Sequence, residues 1–307
     1  MGKVIVVIGP TSVGKTKMGV ALAKKFNGEV ISGDSMQIYK QMDIGTAKVT
    51  EEEKEGIIHH CVDILNSDET YSVHDFQQTV RKKITEITQR GHVPIIVGGT
   101  GLYIKAALYD YQFDEMENDH HAINEKYKDY TNEQLHDHLK SIDEESAKTL
   151  HFNNRRRVLR AIEIYETTGK RKSEMLEEQE HICLYDAYFV GLTLPRDVLY
   201  ERINKRVDVM MENGLKEEME RLYSQGLTRN HQSMKAIGYK EWFDYYDHQI
   251  DLNDVLELIK KHSRQYAKRQ YTWFKNQFDV HWYDVNLENF EQTIEQVTDD
   301  IEKILKV

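Results

Sequence analysis

Short, wholly apolar runs alternate with stretches of helical spacing in the N-terminal third of the chain. Lys3 to Ile8 is a compact run rich in Val and Ile that leads into glycine, the pattern of a parallel strand buried on both faces. Thr16 to Phe26 sets Met18, Ala21, Leu22 and Phe26 on one helical face, and Asn27-Gly28 stops it. Glu29 to Ser32 reads as a second strand. Val93 to Val97, with Pro94 near its start and Gly98-Gly99 at its end, reads as another. Between them, Ser72 to Arg90 carries Phe76, Val80, Ile84 and Ile87 on one side of a helix. This alternation predicts a parallel α/β sheet.

From about Tyr111 to His181 the apolar strand runs vanish, and charged, helix-favouring sequence takes over, as in Glu133 to Leu139 and Arg155 to Thr167. Ala187 to Leu194 is strand-like again. Val198 to Glu212, Leu215 to Gln225 and Asp254 to Phe278 then follow as helices. The expected organisation is a core of residues 1–112 and 184–307, interrupted by a mostly helical insertion over 113–183.

A length of 307 residues also favours two lobes over one core, and 39% hydrophobic with 10% aromatic residues suffices for globular packing. The apolar stretch Val4 to Pro10 is too short and wrongly flanked for a signal peptide, and no run is long enough for a membrane helix. A soluble, cytoplasmic protein is expected. The two cysteines, Cys61 and Cys183, lack metal-type spacing and read as free thiols, which suits a reducing compartment. His59-His60 beside Cys61 lacks a second ligand pair and reads as core or turn sequence. A net charge of −11 argues against nucleic acid only as a whole-chain number, because phosphate contacts are local.

Gly9-Pro10-Thr11-Ser12-Val13-Gly14-Lys15-Thr16 matches G-x-x-x-x-G-K-[ST] between a strand and a helix, the context that a phosphate loop requires. Its glycines let backbone N–H groups turn inward, the helix start adds positive potential, Lys15 adds a full charge, and Thr16 can hold Mg²⁺. Such a cradle fits ATP and any other diphosphate alike. The fold class expected is therefore α/β, a P-loop NTPase-like parallel sheet core flanked by helices.

The strand Pro94 to Val97 ends in Gly98-Gly99-Thr100-Gly101-Leu102-Tyr103, where an ATPase would keep an acid for Mg²⁺ and water. The well-placed acid is instead Asp34, in Gly33-Asp34-Ser35-Met36-Gln37-Ile38-Tyr39, on the edge where α/β sheets bind ligands. An Asp-Ser pair also suits an ordinary surface turn. Thr100 sits where its hydroxyl could donate to phosphate or substrate, although a tight glycine turn accounts for the pattern too.

Taken together, the phosphate loop, the Asp34 to Tyr39 segment, Gly98 to Tyr103, Arg155-Arg156-Arg157-Val158-Leu159-Arg160-Ala161, Ala236-Ile237-Gly238-Tyr239-Lys240-Glu241 and Arg264-Gln265-Tyr266-Ala267-Lys268-Arg269-Gln270 resemble the bacterial tRNA dimethylallyltransferases. The segments run in the family's order over nearly the whole chain. Val13 departs from the small residue more usual in the loop, and His231 to Lys235 also varies.

The resemblance implies transfer of a dimethylallyl group from its diphosphate to the exocyclic amine of the adenosine 3′-adjacent to the anticodon, in tRNAs reading U-initial codons. Lys15, the loop from Gly9 to Thr16, and Mg²⁺ at Thr16 would hold the diphosphate, with Thr100 and an arginine of Arg202 to Val207, Arg206 in preference, assisting. Asp34 would be the general base, the Gln37 amide could read the adenine edge, and Asp34, Ser35, Met36, Gln37 and Thr100 would all contact the tRNA. Arg156, Arg157 and Arg160 on the insertion, with Lys240 and Arg269, would contact the tRNA anticodon stem-loop. A monomer is expected.

Other readings compete. A small-molecule P-loop kinase would use the arginines as a lid over ATP, an isopentenyltransferase acting on free adenine nucleotides would not need them, and a nucleotide-gated RNA-binding protein would need no base at Asp34.

Overall fold

The computed structural model describes residues 2–111, 120–177 and 181–305. The chain enters through strand β1 (Lys3–Ile8), helix α1 (Lys15–Lys25) and β2 (Gly28–Ser32). It continues through α2 (Glu51–Lys54), β3 (His59–His60), α3 (Val73–Gln89), β4 (Val93–Gly98) and α4 (Gly101–Leu108). Helices α5 (His120–Lys126), α6 (Asn132–Ile142), α7 (Glu144–Thr149), α8 (Arg155–Thr168) and α9 (Lys172–Glu177) follow without a strand. The sheet resumes with β5 (Asp186–Thr193), α10 (Arg196–Glu212) and α11 (Leu215–Ser224). Helix α12 (Trp242–Tyr246), the long α13 (Leu252–Gln277), β6 (His281–Asp284) and α14 (Phe290–Leu305) complete the path.

All six strands are parallel, in the order β3-β2-β4-β1-β5-β6. The α/β class read from the alternation is the observed one. Strands β3 and β6 were not expected: one is a two-residue histidine pair, and the other, His-Trp-Tyr-Asp, has a single buried position.

The central strand shows why the sheet is covered on both faces. Val4, Val6 and Ile8 pack with Phe76, Val80 and Ile84 of α3, whereas Ile5 and Val7 pack with Met18 and Leu22 of α1 and Val297 and Ile301 of α14. The two-residue alternation of a strand sends successive side chains to opposite layers. With both layers apolar, no polar position remains in β1 after Lys3. Capping boxes start α3 at Ser72 with Asp75 and α13 at Asp251 with Asp254, satisfying the first free N–H groups of each helix.

The chain forms two compact units, Met1–Tyr109 with Cys183–Val307, and Asp110–Ile182. The second has its own small core of Ile123, Leu135, Leu139, Val158 and Ile162. The boundary expected at 112–113 lies outside the described residues. Cys61 and Cys183 are free thiols, and burial pushes Cys61 up to about 11. Among the described residues no helix is long and apolar enough to cross a membrane.

Candidate active site

Register places three loops at one edge of the sheet. Ile8 pairs with Gly98 and Ser32 with Val97, so the segments leaving β1, β2 and β4 emerge side by side at the carboxyl ends of the strands. The turns after β2 and β4 approach so closely that a Cβ on Gly98 would lie 2.3 Å from the Gly33 carbonyl. Only glycine permits that approach.

The loop after β1 takes left-handed backbone at Gly9, Ser12 and Gly14. Ser12 is not a glycine, so its φ of 66° stores strain of the kind held at functional sites. Its hydroxyl is buried and without a hydrogen-bond partner, while its carbonyl accepts a bond from Arg202 Nε at 3.0 Å. Helix α1 begins with no side-chain cap and no acid in its first turn, leaving its N–H groups and partial positive charge directed at the loop. Lys15 folds back to donate to the Pro10 carbonyl at 2.8 Å. Burial, then the neighbouring Arg206 guanidinium, push its ammonium down to about 7 against the pull of Asp34. An orphaned hydroxyl, an uncapped helix start and an ammonium whose charge burial disfavours are together what an oxygen-rich anion would satisfy.

Asp34 follows β2 and accepts a bond from the Met36 N–H at 2.8 Å. Burial raises its pKa; the Met36 N–H, Lys15, the Gln37 N–H and Arg206 draw it back. Arg206 on α10 is itself lowered by burial, with Glu53 and Asp34 supporting its charge and Arg202 opposing it. A cleft of about 350 Å³ opens here, with Thr11, Ser12, Asp34, Arg206, Tyr266 and Arg269 among its walls. Lys240 also borders it, half-exposed and 3.9 Å from Glu241.

Three candidates are engaged with the protein itself, and of them only Arg269 is among the residues lining the cleft. Thr100 Oγ1 accepts from the Ser35 N–H at 3.1 Å and tethers the two turns. Gln37 accepts from Ser32 Oγ at 3.1 Å and donates to the Thr46 and Ala47 carbonyls, so in this structure its amide holds a cleft wall. Arg269 lies over the Tyr266 ring, 5.8 Å from its centroid.

In the second unit, taken by itself, Arg156 and Arg157 are exposed and Arg160 pairs with Glu163 at 2.8 Å. Arg155 is structural, donating to the Tyr127 and Tyr130 carbonyls at 2.7 Å. Lys172 is lowered by burial and by Arg157 and Arg160 beside it, which marks a basic cluster.

Sequence reasoning gave no individual role to Glu218, Tyr266 or Gln270. Glu218 is buried and accepts from the N–H groups of Asp43, Ile44 and Gly45 and from the Tyr239 hydroxyl at 2.6 Å, fixing another wall. Tyr266 reaches the Gly99 carbonyl at 3.4 Å, and burial, then Asp34, push its hydroxyl up to about 12. One signal was available for Gln270: it is a polar residue on the buried stripe of Ala267 and Phe274.

The IPP transferase family model matches residues 37–277. The chain belongs to the IPP transferase family. It is 54% identical over 286 residues to a tRNA dimethylallyltransferase of Bacillus cereus strain AH187, covering 92% of this chain and 90% of the relative. It is equally similar to a tRNA dimethylallyltransferase of Bacillus anthracis, with 92% and 91% covered. Among solved structures it resembles a tRNA delta(2)-isopentenylpyrophosphate transferase from Staphylococcus epidermidis, at 47% identity and TM-score 0.74 over 99% of both chains. It also resembles a eukaryotic dimethylallyltransferase acting on tRNA, at 33% identity and TM-score 0.87, over 99% of this chain and 79% of that one. The family resemblance read from the motifs is the family found.

Proposed function

We propose that this IPP transferase family member moves the dimethylallyl group of dimethylallyl diphosphate onto the exocyclic amine of the adenosine 3′-adjacent to the anticodon, in tRNAs reading U-initial codons, and releases diphosphate. The observation that carries this is a half-buried carboxylate, Asp34, lining one cleft with the cation Arg206 and within electrostatic reach of the Lys15 ammonium.

Two barriers oppose the reaction. The C–O bond of the donor must break as negative charge gathers on the diphosphate. Lys15, Arg206 and the N–H groups at the start of α1 meet that charge in a half-buried site, and one preorganised donor of this kind is worth about 3 kcal/mol. The amine must also attack the allylic carbon and lose a proton. Asp34 accepts that proton as the N–C bond forms, and its raised pKa makes it a better base than an ordinary aspartate. A neutral prenylated amine, diphosphate and a protonated Asp34 result.

Mg²⁺ fits as a cation shared with the donor rather than held by the protein alone. Among the described residues no group of three or more His, Cys, Asp or Glu side chains could hold a metal, while Thr16 lies in the first turn of α1, next to Lys15. When bound, Mg²⁺ would neutralise charge on the leaving diphosphate.

The target base must leave its stack to reach Asp34, which costs a few kcal/mol and is least for a base in a single-stranded loop. Arg156, Arg157, Arg160, Lys240 and Arg269 supply local positive charge for the anticodon stem-loop despite the acidic whole. The working form is a cytoplasmic monomer.

The test is to incubate the protein with Mg²⁺, dimethylallyl diphosphate and unmodified tRNA, digest the RNA and examine nucleosides by mass spectrometry. A prenylated adenosine is expected. Its absence from every tRNA reading U-initial codons would overturn the proposal.

A further inference from the structure

Gln270 lies on the face of α13 that also buries Ala267 and Phe274, yet it carries an amide and is 6% exposed. A buried amide needs partners on both its halves. Both have one. The Thr11 N–H donates to Oε1 at 3.0 Å, and Nε2 donates to the Gly99 carbonyl at 2.9 Å. One side chain therefore joins the phosphate loop to the turn after β4, from a helix 259 residues beyond the first contact and 171 beyond the second.

The space is shaped for this amide. A Cβ on Gly99 would lie 2.1 Å from Gln270 Nε2 and 4.0 Å from Lys15 Nζ, so the clamp sits beside the ammonium of the cradle. One helical turn earlier, Tyr266 reaches the same Gly99 carbonyl and interacts with the Thr100 side chain. Thr100 in turn holds the Ser35 N–H, next to Asp34. The hydrogen bonds run without a gap from Thr11, through Gln270 and the Gly99 turn, to the residue beside the carboxylate.

We infer that Gln270 is a positioning residue, which sets the register of the phosphate loop against the Gly99–Thr100 turn and so the distance from diphosphate to base. By occupying the Thr11 N–H, it also fixes which loop donors remain directed at the anion. A glutamine that merely fills the core would be tied to the stability of α13 and not to one substrate. This inference rests on reading the cradle as the diphosphate site.

The experiment uses the full chain with Gln270→Met, which keeps length and burial but removes both bonds, and with Gly99→Ala, whose new Cβ displaces the amide from the other side. Calorimetry with inorganic diphosphate is run beside steady-state prenyl transfer. The clamp predicts that both variants weaken diphosphate binding and raise the donor KM about tenfold, the factor for one lost buried hydrogen bond, with the tRNA KM unchanged. If Gln270→Met does not fold, Gly99→Ala carries the same test. Unchanged diphosphate affinity, or donor and tRNA constants worsening together, overturns the clamp. A wild-type protein that binds diphosphate but prenylates no tRNA overturns the proposed function instead, and leaves the binding arm to judge Gln270.

Discussion

Lys15 and Asp34 lie near enough for each to alter the other's proton affinity. Burial works against both charges, pushing the ammonium down to about 7 and the carboxyl upward, and each partner's charge opposes that drift. In the free protein burial disfavours both charges, and an anion bound beside Lys15 would favour its protonated form.

Diphosphate binding should therefore take up a proton. Near pH 8, above the Lys15 value of about 7, much of that ammonium is neutral until an anion arrives, so uptake is expected there and little at about pH 6. Calorimetry in two buffers of different ionisation enthalpy measures it, with Lys15→Met as the control. An uptake identical in that variant would refute the assignment. The same linkage makes the free protein gain stability from this group as pH rises from about 7 towards 10.5, because the unfolded chain then binds the extra proton.

Asp34→Asn should cut the single-turnover rate by about 10²–10⁴-fold, the usual contribution of a positioned base. Diphosphate affinity should hold or improve, since a negative charge leaves the cleft. In the wild-type protein the acid limb of the rate profile should lie above the ordinary aspartate range, the base being active only once deprotonated. Quenched-flow measurement on both proteins decides it, and an Asn variant retaining most of its rate would remove the base.

Glu29, on β2, gives a prediction unconnected with the reaction. Burial disfavours its charge, but a two-point bond from Arg90 and bonds to His60 and His92 outweigh burial and hold it at about 2. Its folded value lies below its ordinary 4.5, so its contribution is complete above about pH 4.5 and disappears as pH falls towards 2. Glu29→Gln should lower stability near neutrality by about 2 kcal/mol and flatten that acid limb. Urea titrations across the range measure both, and a variant as stable as wild type at neutral pH would contradict the account.

The parts of this site that sequence made legible are the local ones. The loop from Gly9 to Thr16 is written in eight consecutive residues, and β1, β2, β4 and β5 announce themselves as apolar runs between glycines and polar turns. Asp34 and Thr100 follow directly from where such strands end. Glu218, Tyr266 and Gln270 could not be read in this way, because their partners lie far along the chain and their roles arise from tertiary contact. Gln37 shows the converse: its amide could read a base edge, but the fold engages it with Ser32, Thr46 and Ala47. Strand β6 escaped notice because pairing with β5, not its own composition, makes it a strand.

The basic cluster of the second unit yields the last prediction. Arg156 and Arg157 project from the first turn of α8 and are exposed, whereas Arg155 is held by backbone carbonyls and Arg160 by Glu163. Exposed arginines at a helix start oppose its dipole, so their positive charge is not there to stabilise α8. Lys172, lowered by burial and then by Arg157, shows that the cluster tolerates mutual repulsion as well. Phosphate contact would relieve both penalties. Replacing both residues, Arg156→Gln with Arg157→Gln, should leave diphosphate binding unchanged and thermal stability unchanged or slightly raised, while weakening tRNA binding. The slope of log affinity against log salt should fall by about 0.7–0.9 for each lost phosphate contact. Filter binding from low to moderate salt checks this. An unchanged slope with unchanged affinity would show that these arginines are only a solvated face.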